Sequence, residues 1–417
     1  MSASVGCKLF GAYRTVISIK DAAVLIHSTV GCNWGTNTFH IPSRQKDIRQ
    51  ASSVLYEEDI VYGGRASLEK ALGHMLELYS CSAVFVLTGC VAEIMEDDVE
   101  SILRNFSSSK PLLLVKAAGF KGNMASGIQD AMKILVDQMD EKRRKENSIN
   151  LIGMLSDDFR SDADLKAIRR LLGTNIELNS VIPYDDYAGM LNAPAASLNV
   201  IFEGFEAAGI QMERKFGIPY IVVNYPYGME GSKDFAVKVA DALKQGEMDF
   251  LRELEKETVG SLEMAYGYLH KLYGMPAAVS GDSARAKALK RFLENEMGMN
   301  VEAFRDVLNG DNASGACGMN ARNDTGRVRG MDDRNDMDGF ERTLEKSNAV
   351  IVFGSSFERG IAEHLNIPLI RYTYPVFDSI NIGNRSYAGF EGTVNLLEDM
   401  VNTSMTMKYR RNGMYGD

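Results

Sequence analysis

The 417-residue sequence lacks the features of several large protein classes. No stretch approaches the roughly 18 to 20 consecutive apolar residues of a membrane-spanning helix. The first residues, "MSASVGCKLFGAYR", contain no apolar run of the kind that a signal peptide needs. A formal net charge of −10 argues against nucleic acid as the main partner, because phosphate contacts need clustered Lys and Arg. We therefore expect a cytoplasmic protein with neither a membrane nor a nucleic-acid partner.

The common catalytic and nucleotide-binding motifs are also missing. The chain has no HExxH, no P-loop and no nucleotide-binding GxGxxG, so the usual zinc, ATP and NAD sites lack support. Its five cysteines are too few for a disulfide scaffold in a chain of this length. In a reducing compartment, cysteines serve packing, catalysis or metal binding, and these three possibilities are the ones to distinguish.

Short apolar runs rich in β-branched residues recur between helical stretches. Continuous runs of this kind are typical of strands covered on both faces, so parallel α/β sheets are expected. The runs are "SAVFVL", "PLLLVKA", "INLIGML", "SLNVIF", "PYIVVNYP", "PAAVSGD", "NAVIVFGSS" and "IPLIRYTYP". Their number indicates more than one sheet, since a chain of this length exceeds what one core usually holds.

Two charged stretches suggest domain boundaries. One is "DQMDEKRRKENS" at residues 137–148, and the other is the long helical stretch at residues 243–274. They predict three α/β domains, at residues 1–148, 149–260 and 261–417. Residues 309–339 are rich in Gly, Asn and Asp with almost no apolar run, which predicts an irregular loop in the third domain.

Three cysteines share a local setting, because Cys7, Cys32 and Cys90 each follow a glycine. "DAAVLIHSTVGCNWG" and "SAVFVLTGC" both run from apolar residues into that glycine, as strands entering turns do. In an open α/β sheet the ligand crevice lies at the carboxyl ends of the strands, so Cys32 and Cys90 are expected to open onto one crevice. Glycine there would let the backbone approach an inorganic cluster and donate N–H bonds to its sulfurs.

Each cysteine taken alone is more often a packing residue than a ligand. Cys81, at the start of a strand, fits packing best, and Cys317 lies in the predicted loop. A nucleophilic role is weaker, since the residues after Cys90 are acids rather than the cation or His that a reactive thiolate needs. Three thiols are one short of the usual four ligands of an iron–sulfur cluster, so another subunit would have to supply the rest.

Several segments around these cysteines together resemble nitrogenase component 1, especially the β-chain of the molybdenum-iron protein. They are "HSTVGC" at 27–32, "DIVYGGRASLEKAL" at 59–72, "LTGCVAEIMEDDVESI" at 87–102, "GFKGNMASG" at 119–127 and the final segment at 367–402. The resemblance implies three doubly wound, Rossmann-like α/β domains with mainly parallel sheets. It also implies an oxidoreductase subunit that pairs with an α-like subunit, as in an α2β2 heterotetramer.

The resemblance assigns a role to each of these cysteines. Cys7, Cys32 and Cys90 match the three β-chain cysteines that hold an iron–sulfur cluster at the subunit interface. That cluster is an [8Fe-7S] P-cluster in nitrogenase and a simpler [4Fe-4S] cluster in related protochlorophyllide reductases. It receives electrons from a homodimeric, ATP-hydrolysing iron protein and relays them to the substrate site. Asp97 and Asp98 are expected at the docking surface for that iron protein.

Departures from the family pattern leave the substrate open. The β-chain serine that can ligate the oxidised P-cluster corresponds to Asn123, and the α-chain ligands of the iron-molybdenum cofactor have no counterparts. We therefore expect a β-like subunit of a nitrogenase-like reductase without cofactor-binding residues. The alternatives are a scaffold subunit for nitrogenase cofactor assembly, a component of a tetrapyrrole reductase or of a nickel-sirohydrochlorin diamide reductive cyclase, and an α/β protein whose thiols only pack.

Overall fold

The structure is a computed structural model that describes residues 6–38, 48–246, 249–308 and 337–406. Over these residues the chain forms three four-stranded parallel sheets, as predicted for an α/β fold. All three sheets have the same strand order, in which the second strand along the chain lies at one edge and is followed by the first, third and fourth. Three successive units of the chain thus repeat one doubly wound topology.

The first sheet contains the strands that precede Cys32 and Cys90. Its strands are β1 (Ala22–His27), β2 (Gln50–Ser52), β3 (Ala83–Thr88) and β4 (Leu112–Lys116). The helices along this part of the chain are α1 (Lys8–Ile17), α2 (Val30–Thr38), α3 (Glu57–Tyr62), α4 (Arg65–Leu78), α5 (Cys90–Ile94), α6 (Val99–Asn105) and α7 (Met124–Asp137), with a 3₁₀ turn at Gly119–Lys121.

The two central strands of this sheet, β1 and β3, are buried along their whole length. Alternate side chains of a strand point to opposite faces, so each of these strands must be covered twice. Ala23, Leu25, Val84 and Val86 pack against apolar residues of α4 and α6. On the other face, α1 contacts β1 and β3, and α7 contacts β4.

The second sheet follows the charged stretch at residues 137–148. Its strands are β5 (Ser148–Ile152), β6 (Glu177–Ile182), β7 (Leu198–Phe202) and β8 (Tyr220–Val223). The helices here are α8 (Ser161–Leu172), α9 (Tyr187–Leu191), α10 (Glu206–Phe216) and α11 (Gly228–Ala242), with a 3₁₀ turn at Ala193–Ala195. Helix α7 ends at Asp137 and the next regular element, β5, begins at Ser148, so the charged stretch connects the first sheet to the second.

The third sheet contains β9 (Pro276–Gly281), β10 (Asn300–Asp306), β11 (Ile351–Gly354) and β12 (Leu369–Arg371). The helices from residue 249 onward are α12 (Asp249–Glu263), α13 (Tyr266–Leu269), α14 (Ser283–Arg291), α15 (Met337–Lys346), α16 (Arg359–Leu365) and α17 (Gly389–Thr406), with a π-helical turn at Phe292–Glu296. Most of the predicted loop, residues 309–336, lies outside the described residues, as does Cys317. Residues 337–339 of that loop belong to α15.

All eight apolar runs proposed as strands form strands, and so does the run before Cys32. The sequence patterns do not predict β2, β6 or β10. Each of these three lies at the edge of its sheet and is only partly buried. The opposite edge strands, β4, β8 and β12, do have apolar runs, so the three missed strands differ in sequence rather than in position: polar residues interrupt them.

Packing divides the described residues into two compact units. One holds the residues up to Asp157 together with Ile176–Val222, and the other holds Asp158–Asn175 and the described residues from Val223 onward. Each of the three predicted domain ranges carries one sheet, although the division into three domains stays a prediction. Among the described residues, no helix has both the length and the apolar character needed to cross a membrane.

Candidate metal centre at the carboxyl edge of the first sheet

The first sheet changes winding direction between β1 and β3. From β1 the chain moves to β2 on one side, and from β3 it moves to β4 on the other. Neighbouring parallel strands whose connections run in opposite directions leave a crevice at their carboxyl ends, where ligands of such sheets bind. Cys32 follows β1 within the first turn of α2, and Cys90 is the first residue of α5, directly after β3. Both thiols therefore lie at this switch point.

Gly119 brings Cys7 and Cys90 together. A Cβ atom on Gly119 would lie 3.4 Å from the Cys90 sulfur and 3.6 Å from the Cys7 sulfur. The Gly119 N–H also donates to Cys90 Sγ at 3.2 Å. Since Gly119 begins the 3₁₀ turn after β4, three separate segments of the chain converge here. The missing side chain leaves room beside the two sulfurs, and the amide supplies a hydrogen bond to one of them.

Cys7 is the N-cap residue of α1, and it pairs in an isolated antiparallel bridge with Asn123 before α7. Burial raises the pKa of the Cys7 thiol, and the neighbouring thiols of Cys32 and Cys90 raise it further, against backbone N–H groups of Phe10 and Leu9 that lower it. A thiol with a raised pKa stays protonated unless a bound cation holds it as the thiolate.

Gly89 occupies the corresponding position beside Cys32. A Cβ atom on Gly89 would lie 3.7 Å from the Cys32 sulfur and only 2.2 Å from the hydroxyl oxygen of Ser28. The Gly89 N–H donates to the backbone oxygen of His27, which fixes this glycine against the end of β1. Any larger residue would displace Ser28 or fill the space next to Cys32.

Glu93 joins the segment of Cys90 to the segment of Gly119. One carboxylate oxygen accepts bonds from the Thr88 hydroxyl (2.8 Å) and the Ala118 N–H (2.9 Å), and the other lies 2.7 Å from Lys121 Nζ. Burial raises the pKa of Glu93, but the bonds from Lys121, Thr88 and Ala118 outweigh it and hold the pKa below its usual value. Glu93 therefore faces inward, although the sequence suggests that the acids after Cys90 face outward.

A buried histidine ties the ends of β1 and α5 to the turn before α4. His27 Nδ1 lies 2.8 Å from Ser53 Oγ, and Nε2 lies 3.1 Å from a carboxylate oxygen of Asp97. Both oxygens of Asp97 lie 3.2 Å from the Gly64 N–H. Gly63 has φ +94°, which favours glycine, and a Cβ on Gly64 would lie 2.9 Å from the imidazole. Burial lowers the pKa of His27 more than Asp97 raises it.

Comparison with known proteins identifies the fold family. The profile of the nitrogenase component 1 type oxidoreductases matches residues 7–405, nearly the whole chain. The chain belongs to this family. The prediction of an oxidoreductase fold of the nitrogenase component 1 type is therefore confirmed.

Individual relatives span several branches of the nitrogenase component 1 family. The chain is 23% identical to a nitrogenase molybdenum-iron protein beta chain of Methanococcus maripaludis, over 97% of this chain and 94% of that one. It is 22% identical to a light-independent protochlorophyllide reductase subunit of Adiantum capillus-veneris, over 95% and 81%. It is 29% identical to the NifE cofactor biosynthesis protein of Clostridium pasteurianum, over 66% of this chain and 62% of that protein. A solved structure of nitrogenase Cp1 superposes with a TM-score of 0.77 at 18% identity, covering 97% and 93%.

The remaining residues singled out from the family pattern occupy distinct positions. Asp97 is nearly buried and bonded to His27 and Gly64, whereas Asp98 is exposed and caps α6 by accepting the Ser101 N–H at 3.1 Å. Asn123 caps α7, with its side-chain oxygen accepting the Ser126 N–H at 3.0 Å. Cys81 lies in the apolar core of the first sheet, as its sequence setting predicts.

Sequence reasoning misses Ser28, Glu93 and Gly119 as parts of this site. Gly119 lies close to Cys7 and Cys90 only through the fold, since it follows β4. Ser28 and Cys32 both follow β1, and it is Gly89, after β3, that the fold places beside the two of them. One signal was available for Glu93. It stands three residues after Cys90 and on the same side of the short helix, so a position facing the next strand end could have been inferred.

The third sheet has the same topology, and in the part of it that the structure describes, other side chains stand at the corresponding strand ends. At the end of β9, a Cβ on Gly281 would lie 2.3 Å from the hydroxyl oxygen of Tyr372, and at the end of β11 a Cβ on Gly354 would lie 2.7 Å from a carboxylate oxygen of Glu358. Tyr372 and Glu358 are both buried. Tyr372 and Glu358 thus lie beside these strand ends of the third sheet, where the first sheet has cysteines after β1 and β3.

Proposed function

We propose that this chain is the β-like subunit of a nitrogenase-like reductase, in which Cys7, Cys32 and Cys90 hold an iron–sulfur cluster shared with an α-like subunit. The observation that supports this most strongly is that Cys7 and Cys90, from separate segments, lie beside the same glycine, Gly119, while Cys32 follows the neighbouring central strand at the same edge of the sheet. Glycines stand beside the thiols where side chains would fill the space. The group would be an [8Fe-7S] P-cluster-like or a [4Fe-4S] cluster.

The residues at this edge fit such a group. No three His, Cys, Asp or Glu side chains of the described residues converge closely enough to hold a single metal ion. The fit lies in the chemistry of the donor set, because thiolates are the usual protein ligands of iron–sulfur clusters. Its chemistry when bound would be one-electron relay. The chain supplies three thiols, an amide hydrogen bond from Gly119 to Cys90, and the Glu93–Lys121 pair that fixes both segments.

The surface around the thiols supports a shared cluster. Three exposed apolar residues belong to the same helices as the cysteines: Val30 and Trp34 to α2, and Ile94 to α5. Large exposed apolar side chains of this kind suit a protein interface, where aromatic residues provide much of the binding energy. A partner chain seated here would cover the thiols and complete their ligand set. We propose an α-like subunit as that partner, in an α2β2 assembly.

A homodimeric, ATP-hydrolysing iron protein would supply the electrons. Of the two acids assigned to its docking, Asp98 is exposed and can face a cationic partner while it caps α6. Asp97 is bonded to His27 and to the Gly64 amide, so its part in docking would be to hold the turn between α3 and α4 in place. The electron donor would thus dock close to Cys90, since both acids follow α5.

Iron analysis of cysteine variants tests the ligand assignment. The full chain would be purified anaerobically with any chain that accompanies it, as wild type, Cys32→Ala, Cys90→Ala and Cys81→Ala. We expect Cys32→Ala and Cys90→Ala to lose most of the iron and acid-labile sulfide. Cys81→Ala is the matched control, because Cys81 is a thiol of the same sheet that lies in the apolar core. Full iron occupancy in either ligand variant would contradict the assignment.

Two alternatives rest on the relatives. Similarity to a cofactor biosynthesis protein favours an assembly scaffold, and similarity to a protochlorophyllide reductase subunit favours a tetrapyrrole substrate. ATP-dependent turnover distinguishes them. A purified complex that transfers its cluster to an acceptor protein but accepts no electrons from an iron protein would establish the scaffold. Reduction of a tetrapyrrole but not of dinitrogen would establish the second alternative.

A further inference from the structure

Ser28 carries a hydroxyl group for which the fold supplies no partner. It follows directly after β1, and its exposed fraction is 0%. Its hydroxyl oxygen has no hydrogen-bond partner in the part of the chain that the structure describes. Its backbone oxygen is used, since it accepts the Leu55 N–H at 2.9 Å. The segment is therefore well placed by its backbone, and the unsatisfied group is the side chain alone.

This hydroxyl faces the space beside Cys32. Both the Ser28 oxygen and the Cys32 sulfur lie on the side of Gly89 where a Cβ would stand, at 2.2 Å and 3.7 Å from that position. The Gly89 amide bonds to His27, so the end of β3 holds the glycine against Ser28. The Ser28 hydroxyl and the Cys32 thiol thus both border the position that a side chain on residue 89 would occupy. A group bound to Cys32 would lie within the surroundings of Ser28.

A buried hydroxyl without a partner is unfavourable, and native folds rarely retain one without a reason. Ser180 is the other buried serine of the described residues whose hydroxyl has no partner, and it lies in β6 of the second sheet. Asn123, the counterpart of the β-chain serine, uses its side-chain oxygen to cap α7. Ser28, by contrast, has a buried hydroxyl without a partner and lies with Cys32 beside Gly89.

We propose that the Ser28 hydroxyl donates a hydrogen bond to sulfur at the metal centre, either the Cys32 thiolate or a cluster sulfide bonded to the same iron. A neutral hydroxyl in a buried site favours donation, because acting as a ligand would require loss of its proton. Such a bond stabilises the more negative, reduced state and raises the reduction potential. This inference rests on the proposed function, and it makes Ser28 a residue that tunes the potential rather than one that holds the iron.

An EPR-monitored redox titration of Ser28→Ala tests the proposal. The full chain is purified anaerobically with any accompanying chain, and iron content is measured beside the midpoint potential. We expect wild-type iron content and a shift to more negative potential. The size of the shift in midpoint potential can be converted to a ratio: for a one-electron couple, about 59 mV corresponds to a tenfold change in the ratio of oxidised to reduced cluster at a fixed potential. Ser180→Ala is the matched control and should leave the potential unchanged.

The outcomes separate this inference from the function on which it rests. Normal iron with an unchanged midpoint potential in Ser28→Ala would overturn the inference and leave the cluster assignment standing. Loss of iron in Ser28→Ala would also overturn it, because Ser28 would then be a ligand. Wild-type protein without iron would overturn the inference together with the proposed function. A negative shift in Ser28→Ala that Ser180→Ala lacks would establish the hydrogen bond.

Thermal unfolding gives an independent measurement on the cluster-free chain. Without the group, Ser28→Ala removes a buried hydroxyl that has no partner, so the variant should unfold at a higher temperature than wild type. In the loaded protein this advantage should disappear, because the hydroxyl then has an acceptor. An equal advantage in both states would contradict the proposed hydrogen bond.

Discussion

Cys90 is followed closely by five acids, which would oppose formation of its thiolate if they all faced the sulfur. In the structure these acids point in different directions and have different partners. Glu93 turns inward to Lys121, Thr88 and Ala118, and its charge is balanced there. Asp97 binds His27 and Gly64, while Glu96, Asp98 and Glu100 are exposed to solvent, which screens their charge. The acids therefore fix and surround the site without concentrating negative charge on the thiol.

His27 makes the stability of the fold dependent on pH. Burial lowers the pKa of His27 in the folded chain. An ordinary histidine titrates at about pH 6.5, so when the pH falls through this value the unfolded chain gains a proton that the folded chain does not. Stability is then fully present above this range and decreases below it. We expect the free energy of unfolding to fall from pH 8 to pH 5.5 more steeply in wild type than in His27→Gln. Urea denaturation measures this.

The comparison between pH 8 and pH 9 is the control for His27, because an ordinary histidine is already neutral there. The two proteins should show the same pH dependence across that interval. An equal slope from pH 8 to pH 5.5 would show that His27 is not the group responsible.

At the scale of elements, α1 and α7 approach each other closely because each has a glycine at the contact. A Cβ on Gly11 would lie 1.9 Å from the backbone oxygen of Met124, and a Cβ on Gly127 would lie 1.9 Å from that of Lys8. Backbone atoms cannot move aside as a flexible side chain can. The position of α1, and with it that of Cys7 at its start, therefore depends on these two glycines.

Gly127→Ala should force the two helices apart. Overpacking of a tight contact costs typically about 1 to 3 kcal/mol, and we expect a loss of unfolding free energy in that range. Because Cys7 begins α1, iron occupancy should also decrease. Chemical denaturation and iron analysis measure the two effects.

Gly73→Ala is the matched control for the helix contact. Gly73 lies inside α4, and a Cβ there would meet nothing within 4 Å. Alanine is favoured over glycine inside a helix by about 0.5 to 1 kcal/mol, so this variant should be slightly more stable than wild type. Equal destabilisation by both substitutions would contradict the proposed contact.

For the whole molecule, the proposed interface with a partner chain can be tested at exposed apolar residues. Trp34 is the single tryptophan of the sequence, and 68% of it is exposed, two residues after Cys32. Leu78 is 76% exposed but ends α4, before β3 begins, and so lies toward the opposite edge of the same sheet. If the partner chain covers the thiols, Trp34 becomes buried and Leu78 stays exposed.

Trp34→Ser should therefore weaken assembly. A buried aromatic anchor contributes about 2 kcal/mol or more at an interface, which corresponds to at least a tenfold weaker association. Sedimentation velocity over a concentration series measures the change. Leu78→Ser is the control and should assemble as wild type does. Equal assembly of Trp34→Ser and wild type would place the interface elsewhere.

The sequence by itself determined the fold class, the central strands and the two thiols, Cys32 and Cys90, that follow strands. Central strands of parallel sheets are covered on both faces, so they have continuous apolar runs in the sequence, and a cysteine after such a run lies at the carboxyl edge. Strands β6 and β10 escaped prediction because polar residues interrupt them, unlike the apolar edge strands β4, β8 and β12.

Only the tertiary structure decided which residues surround the thiols. Gly89, after β3, lies beside Ser28 and Cys32, after β1, and Glu93 pairs with Lys121, after β4, through contacts between strand ends that are far apart along the chain. The sequence could not separate Asp97 from its neighbour Asp98 either, although one is nearly buried beside His27 and the other faces solvent. Local sequence patterns indicate whether a residue is buried. Which residues bury it depends on the packing of segments that are distant along the chain.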